Sequence, residues 1–411
     1  MEQVIFGGCH RDLDVTVTEY NCLASGGNWT AVEDAREQLV STGGNLKNLR
    51  VKLDGVPGTG TYVFTLRLNG APTALTCTVT AAATTASDMV NSVAVVAGDS
   101  VCLECNPDSP DNVRNALWTL MFESTNAKES LMLGSDPGTV IPTVTYAAMM
   151  GCTEFDQVDR HKTVCPTAGK IKNLYIELSV DPGTAPDAYR FTLRKNDINQ
   201  LLTVTIVAND TTGNDVANDV VVAAGNTLTL MCEGLNDPSA SPQIKWGMTF
   251  EADTDGESVI LGCTDNDFHD TDTRYARPVG MYTIVVAEVD RVNLGQICTL
   301  SDLYIELEND PVGGSVVFTN RVNGGDGNLT VTIATPATTG NDVAHTDVLP
   351  NDAQVSLEID PVSLPAVGEV YWGLVALRQL VGWTGKIGGV TDPAKVMGVD
   401  AANIAEVKGV A

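Results

Sequence analysis

Leu174-Tyr175-Ile176-Glu177-Leu178, Phe191-Thr192-Leu193-Arg194, Leu202-Thr203-Val204-Thr205-Ile206 and Thr211-Thr212-Gly213-Asn214-Asp215 follow one another in a stretch that closes on Ala224-Gly225-Asn226-Thr227-Leu228 and Ile244-Lys245-Trp246. Apolar and polar residues alternate through Leu202–Ile206, the period-2 pattern of a strand with one buried face. Asp181-Pro182-Gly183 and Ala224-Gly225-Asn226 supply turn chemistry. The stretch therefore reads as short antiparallel strands joined by tight turns.

The series occurs twice more. An earlier copy has Leu49-Arg50-Val51-Lys52-Leu53, Phe64-Thr65-Leu66-Arg67, Thr84-Thr85-Ala86-Ser87-Asp88, Ala97-Gly98-Asp99 and Trp118. A later one has Leu303-Tyr304-Ile305-Glu306-Leu307, Phe318-Thr319-Asn320-Arg321, Thr338-Thr339-Gly340-Asn341-Asp342 and Trp372. Arg67, Arg194 and Arg321 recur at a spacing of 127 residues, and so do Asp88, Asp215 and Asp342. Such strict spacing marks one folded unit copied in tandem, and a unit of this length can hold its own core. Three units account for most of the 411 residues. The expected class is all-β: three tandem antiparallel β-sandwich modules, jelly-roll-like, and a short extended C-terminal tail. The expected boundaries are 1–126, 127–254, 255–380 and, for the tail, 381–411. Trp118, Trp246 and Trp372 read as core anchors. The pairs Arg67/Asp88, Arg194/Asp215 and Arg321/Asp342 read as architecture, a sheet-face arginine and an aspartate in a turn.

Short strands with glycine, Val4-Ile5-Phe6-Gly7, Leu131-Met132-Leu133-Gly134 and Val259-Ile260-Leu261-Gly262, precede inserts of about 40 residues at 8–47, 135–172 and 263–301. A weaker copy, Leu380-Val381-Gly382, follows the third unit. The strand either opens a module or closes the preceding one. The inserts look unlike one another: the first suggests a short helix over Val32–Leu39, the others β-like runs over Thr139–Tyr146 and Tyr282–Val286. A constant framework with divergent inserts implies a scaffold carrying variable surface loops.

Hydrophobic residues make up 43% of the chain, enough for packed cores, and no apolar run is long enough to span a membrane. The N-terminal residues lack the basic and apolar regions of a secretory signal. The formal net charge of −28 argues against a nucleic-acid binder, which needs a basic footprint. Cys77, Cys102, Cys105 and Cys232 fall in apolar strand patterns and read as core residues. Cys9 and Cys22, Cys152 and Cys165, and Cys263 and Cys298 fall two per insert and are disulfide candidates for a protein that ends up outside the cell.

No catalytic set emerges. His10, His161, His269 and His345 sit in different module contexts, and no His-x-x-Glu-His, Gly-x-Ser-x-Gly or phosphate-loop pattern is present. The expectation is a non-enzyme without a cofactor. Its one metal-like feature is an acidic run in which Asp253, Asp255, Asp265 and Asp267 are calcium candidates, with a solvated acidic turn as the alternative. The C-terminal stretch repeats a charged–apolar–x–Gly–Val pattern. Its Ile387, Val390, Val396, Val399, Ile404, Val407 and Val410 are docking candidates for a peptide that orders on a partner.

The strand series Asn-Leu-Tyr-Ile-Glu-Leu, Phe-Thr-Leu-Arg and Leu-Thr-Val-Thr-Ile, with its Thr-Thr-Gly-Asn-Asp and Trp-Gly elements, resembles β-sandwich repeats of tailed-bacteriophage virion proteins. The Lys-Ile/Val-x-Gly-Val series is similar to tails that end some phage structural proteins. The resemblance implies a structural protein on the virion surface, a decoration or fibre on head, neck or tail, made in the host cytoplasm without a signal peptide. Its implied partners are other virion proteins of capsid, neck or tail, and host surface glycans. It also implies a homo-oligomer, with a trimer as the first form and a pseudo-trimer inside one chain as the rival. The alternative class is a cell-surface adhesin or carbohydrate-binding β-sandwich protein.

Overall fold

The computed structural model describes residues 1–268, 271–363 and 367–378, and in the tail the backbone of 386–387, 390–391, 395–396 and 399–400. It is all-β, and one strand-pairing scheme recurs three times. In the middle repeat the opening strand Glu129–Asp136 pairs with the closing strand Ile244–Ala252. The closing strand pairs in turn with Gly169–Leu178, and that with Thr212–Val222. The facing sheet carries insert pieces Thr145–Ala147 and Thr163–Val164 on Thr227–Leu235, then Ala188–Lys195 and Ile198–Val207. Counting the insert as second strand, the orders are first–eighth–third–sixth and second–seventh–fourth–fifth. This is a jelly roll of two antiparallel sheets. The first repeat, Glu2–Cys9 to Ala116–Ser124, and the third, Glu257–Thr264 to Val370–Leu377, pair the same way.

The opening strands therefore pair with the closing strand of their own repeat, which decides the alternative that the sequence left open. They are apolar without alternation because both faces are covered. Ile5 packs into the first core, while Val4 and Phe6 join the core built by the other two repeats. Leu131 and Leu133 likewise reach into the first core.

Each opening-strand glycine faces a tryptophan: Gly7 opposes Trp118, Gly134 opposes Trp246 and Gly262 opposes Trp372. A Cβ at these glycines would lie 2.1, 2.1 and 2.5 Å from the indole. The three rings are fully buried.

Three sequence expectations change. The Thr-Thr-Gly-Asn-Asp stretch is not a turn: strands Thr85–Val95, Thr212–Val222 and Thr339–Leu349 run through it. The expected helix over Val32–Leu39 is a 3-10 turn, Asp34–Arg36, followed by strand Gln38–Leu39. In the tail, Ile387 pairs with Val390 and Val396 with Val399 in two small hairpins rather than one extended run; Ile404, Val407 and Val410 lie outside the described residues, as does Leu380-Val381-Gly382.

The third repeat departs at Asn320, where Leu66 and Leu193 stand, and the structure compensates. Buried Asn320 donates to Asp347 at 2.7 Å, and Asp347 stands on the strand where Val220 stands in the middle repeat. An apolar contact has become a hydrogen-bonded pair.

Gly134→Ala should destabilise the protein by at least the roughly 1–3 kcal/mol typical of overpacking, since rigid indole fills the space. Thermal unfolding checks this; a wild-type midpoint would show that the strand can yield.

Candidate functional site

The recurrent arginines and aspartates do not meet. Asp88 binds the backbone of its own strand and of strand Ala71–Val79 on the facing sheet, accepting from Thr76 N, Val90 N and Asn91 N at 3.1, 3.0 and 3.0 Å. Asp215 and Asp342 repeat this on Thr203 and Ala217, and on Thr330 and Ala344. They hold a kink where the pairing register shifts.

The arginines reach the inserts instead. Arg67 pairs with Glu33 at 2.8 Å and lies over the Tyr20 ring at 5.8 Å. Arg194 pairs with Asp159 and covers Tyr146; Arg321 pairs with Glu288 and covers Tyr275. The tryptophans are the second anchor. Their indole N–H groups donate to insert carbonyls, Trp118 to Leu23, Trp246 to Met149 and Trp372 to Pro278, at 2.9, 3.1 and 2.8 Å. Trp29 and Phe155 pack edge-on against Trp118 and Trp246. The inserts thus share one skeleton beneath dissimilar sequences. Each has a tyrosine bridged to a residue ten further on: Tyr20–Thr30, Tyr146–Asp156 and Tyr275–Val285. A signal existed, because tyrosine precedes arginine by 46 to 48 residues in all three copies.

Beyond these anchors, each insert crosses to another repeat. Gln38–Leu39 packs on the middle repeat, where a Cβ at Gly247 would fall 2.0 Å from the Leu39 carbonyl. Thr163–Val164 packs on the third repeat, where a Cβ at Gly373 would fall 1.9 Å from the Val164 carbonyl. Asn293–Gly295 returns to the first repeat, pairing Leu294 with Gly7. The three seams close a ring within one chain.

Polar contacts differ from seam to seam. Buried Lys245 meets Asp34 and Glu37 from the first insert, at 2.5 Å each. Arg160 meets the buried Glu369 at 3.3 Å. Arg50 meets Asp352 at 3.1 Å. At the centre Ser25, Gly151 and Gly280, which follow equivalent insert positions, touch: a Cβ on Gly151 would lie 2.7 Å from Gly280 Cα and 2.9 Å from Ser25 Cβ. Val4, Leu131 and Val259 line the axis around a void of only about 10 Å³.

At one pole, where the opening strands end, the axis widens into a vestibule of about 490 Å³. Residues His10 and Arg11, Pro137 and Asp265 follow the three opening strands into it. At the other pole Arg378, which leads into the tail, pairs with Glu2 at 2.6 Å.

The calcium candidates divide. Asp253 and Asp255 precede Glu257–Thr264, and Asp265 and Asp267 follow it. An eight-residue strand separates its ends by roughly 25 Å, so the four do not form one site. Among the described residues no group of three or more acidic, His or Cys side chains is arranged to hold a metal.

All ten cysteines are free and buried, which corrects the disulfide expectation for Cys9, Cys22, Cys152, Cys165, Cys263 and Cys298. The partners within one insert face different surroundings: Cys165 donates to Thr167 O at 3.1 Å, whereas Cys152 lines the vestibule. Cys22 accompanies Cys152 across a seam instead. Their hydrogen bond, then burial, pushes the Cys152 thiol up. Burial pushes Cys165 and Cys298 up to about 12.

His10 pairs with Asp290 at 2.8 Å and His345 with Asp342 at 3.0 Å; His161 is buried, which pushes its pKa down, and His269 lies outside the described residues. No protein-family model matches the chain, and no curated protein matches it. The fold and these seams define the class directly: an all-β protein of jelly-roll repeats whose inserts bind the repeats together.

Two outcomes follow from the buried groups. Protein denatured without reductant should show ten reactive thiols by colorimetric titration; six or fewer would mean that insert pairs oxidise. Burial raises Glu369 to about 8, with Arg160 opposing and Glu308, Asp267 and Asp265 adding to the rise. The folded state then holds this proton more tightly than the unfolded state. Stability should fall as pH rises from about 4.5 to 8, and Glu369→Gln should flatten that part of the profile. An unchanged pH–stability curve in the variant would assign the dependence to other groups.

Proposed function

We propose that this chain is a non-enzymatic virion structural protein, displayed on a phage head, neck or tail and attached through its C-terminal tail. The observation that carries the reading is polarity. The ring is closed on itself, its tail departs from the pole at Glu2, and the insert loops gather at the opposite pole about 25 Å away. A self-contained head with a peptide leaving one end suits attachment on one side and display on the other.

The resemblance of the repeats and tail to phage virion proteins supports the same reading. So does the use of the recurrent polar groups: Arg67, Arg194, Arg321 and the three aspartates hold inserts and strand kinks, which leaves them no catalytic task. The ring favours a single-chain pseudo-trimer over a homotrimer, because the three seams bury within one chain the surfaces that three subunits would share.

Light scattering should give a particle near 43.3 kDa, the mass of one chain. A chain truncated after Leu380 should keep its β-rich circular dichroism yet fail to join particles assembled in its presence. Full-length chain should be labelled by antibody on the outside of intact particles. A truncated chain that assembles normally would remove the docking role from the tail, and absence from purified particles would overturn the reading.

A further inference from the structure

The vestibule is cationic in a protein of net charge −28. Its described lining includes Arg11, Arg36, Arg277 and Arg291, against Asp265 and Asp290. Both carboxylates already have partners: Asp290 pairs with His10 at 2.8 Å, and Asp265 accepts from Thr283 at 3.0 Å. Among the described residues none of the four arginines has an ion pair. Arg36 Nε donates to Asn28 O at 2.7 Å, and Arg291 Nε donates to Thr283 O at 2.7 Å. Elsewhere Arg67, Arg194 and Arg321 each hold a carboxylate.

Arg277 is the extreme case. It is 3% exposed, and among the described residues its Nε has no hydrogen-bond partner and its one polar contact is a long 3.4 Å bond to Asp290 O. The Tyr282 ring, 4.4 Å away, is its main support. Burial and the Arg277 charge, with Arg11 adding, push the Arg291 pKa down. A buried guanidinium without a counter-charge is costly to keep. The fold does not require it, since Ala148 stands one residue before Met149 where Arg277 stands one before Pro278, the paired acceptors of the tryptophan anchors.

We infer that the vestibule binds a small organic dianion, an oxyanion-bearing molecule of about monosaccharide size, with Arg277 and Arg291 as its principal partners. The charge follows from the lining, where four cations face two already engaged carboxylates. The size follows from the volume: about 490 Å³ far exceeds an inorganic ion and lies within the range of small-molecule pockets. The oxyanion class follows from the planar donor sets of arginine, which match carboxylate or phosphate oxygens in pairs. The inference does not depend on where the protein is displayed, because it is tested on the isolated chain.

The test is calorimetric titration of the full chain at neutral pH with glucose 6-phosphate and malate, with glucose as the uncharged control. The expected result is one site per chain for at least one dianion and no heat from glucose. Arg11→Ala, a change at an exposed lining residue, should weaken binding several-fold. Arg277→Met should weaken it by about ten-fold or more while leaving the ligand-free melting temperature equal or higher, since the variant sheds an uncompensated buried charge. A structural arginine would behave oppositely, lowering the melting temperature without altering affinity. No binding of either dianion at millimolar concentration, or equal binding by both variants, would overturn the inference.

Discussion

The indole N–H of each repeat's tryptophan sets the path of everything that follows. Trp118, Trp246 and Trp372 stand on closing strands, and each lies flat on a neighbouring strand only because a glycine stands opposite. A buried indole nitrogen must find an acceptor, and it finds one in the insert. One ring therefore ties the first strand, the last strand and the loop between them. The arginine on the facing sheet adds a second tie through an acidic residue and a tyrosine ring. A loop of about 40 residues fixed at both points has little freedom left, so its remaining strand can be presented to a neighbour in a set orientation.

That presentation closes the ring. Gly247 and Gly373 let a carbonyl of the preceding insert approach the sheet where any Cβ would collide. The first repeat has Thr119 at the corresponding place after its tryptophan, and there the seam is made by Leu294 pairing with Gly7. Head-to-tail contacts form a closed ring when the rotation allows it. Carrying all three repeats on one chain frees each seam to vary. Lys245 with its carboxylates, Arg160 with Glu369 and Arg50 with Asp352 are three separate solutions, and a homotrimer would have to use one of them three times.

Much of the framework was legible. Alternation at Leu202–Ile206, turn residues and the spacing of the arginines led to all-β sandwiches of jelly-roll type, because strand periodicity is local information. The inserts were not legible in the same way. Their shared skeleton rests on single side chains, Tyr20, Tyr146 and Tyr275 with Glu33, Asp159 and Glu288, separated by unlike sequence. The separate tasks of the recurrent arginines and aspartates were not legible either, because a constant spacing shows that two positions recur and says nothing of what each one touches. Asp88 turned to backbone N–H groups of its own strand and of the facing sheet, while Arg67 lay across from the insert. Pairing cysteines within each insert failed for a related reason. Cys22 and Cys152 are close only because two repeats meet at the axis, and a seam between repeats leaves no periodic trace.

The same asymmetry explains how a charged chamber can sit on the axis of a threefold arrangement. In a true trimer, a buried arginine near the axis would appear three times, and mutual repulsion at such separations would be severe in a poorly solvated space. Here Arg277 occurs once; the middle repeat has Ala148 at the corresponding place and brings Pro137 and Cys152 to the chamber. Divergence among tandem copies thus permits charge to accumulate at one pole while apolar Val4, Leu131 and Val259 keep the axis packed below it. The long-range field of a −28 chain repels anions, but in physiological salt it is screened over about 8 Å. The four arginines line the chamber itself, so local charge rather than net charge governs what enters.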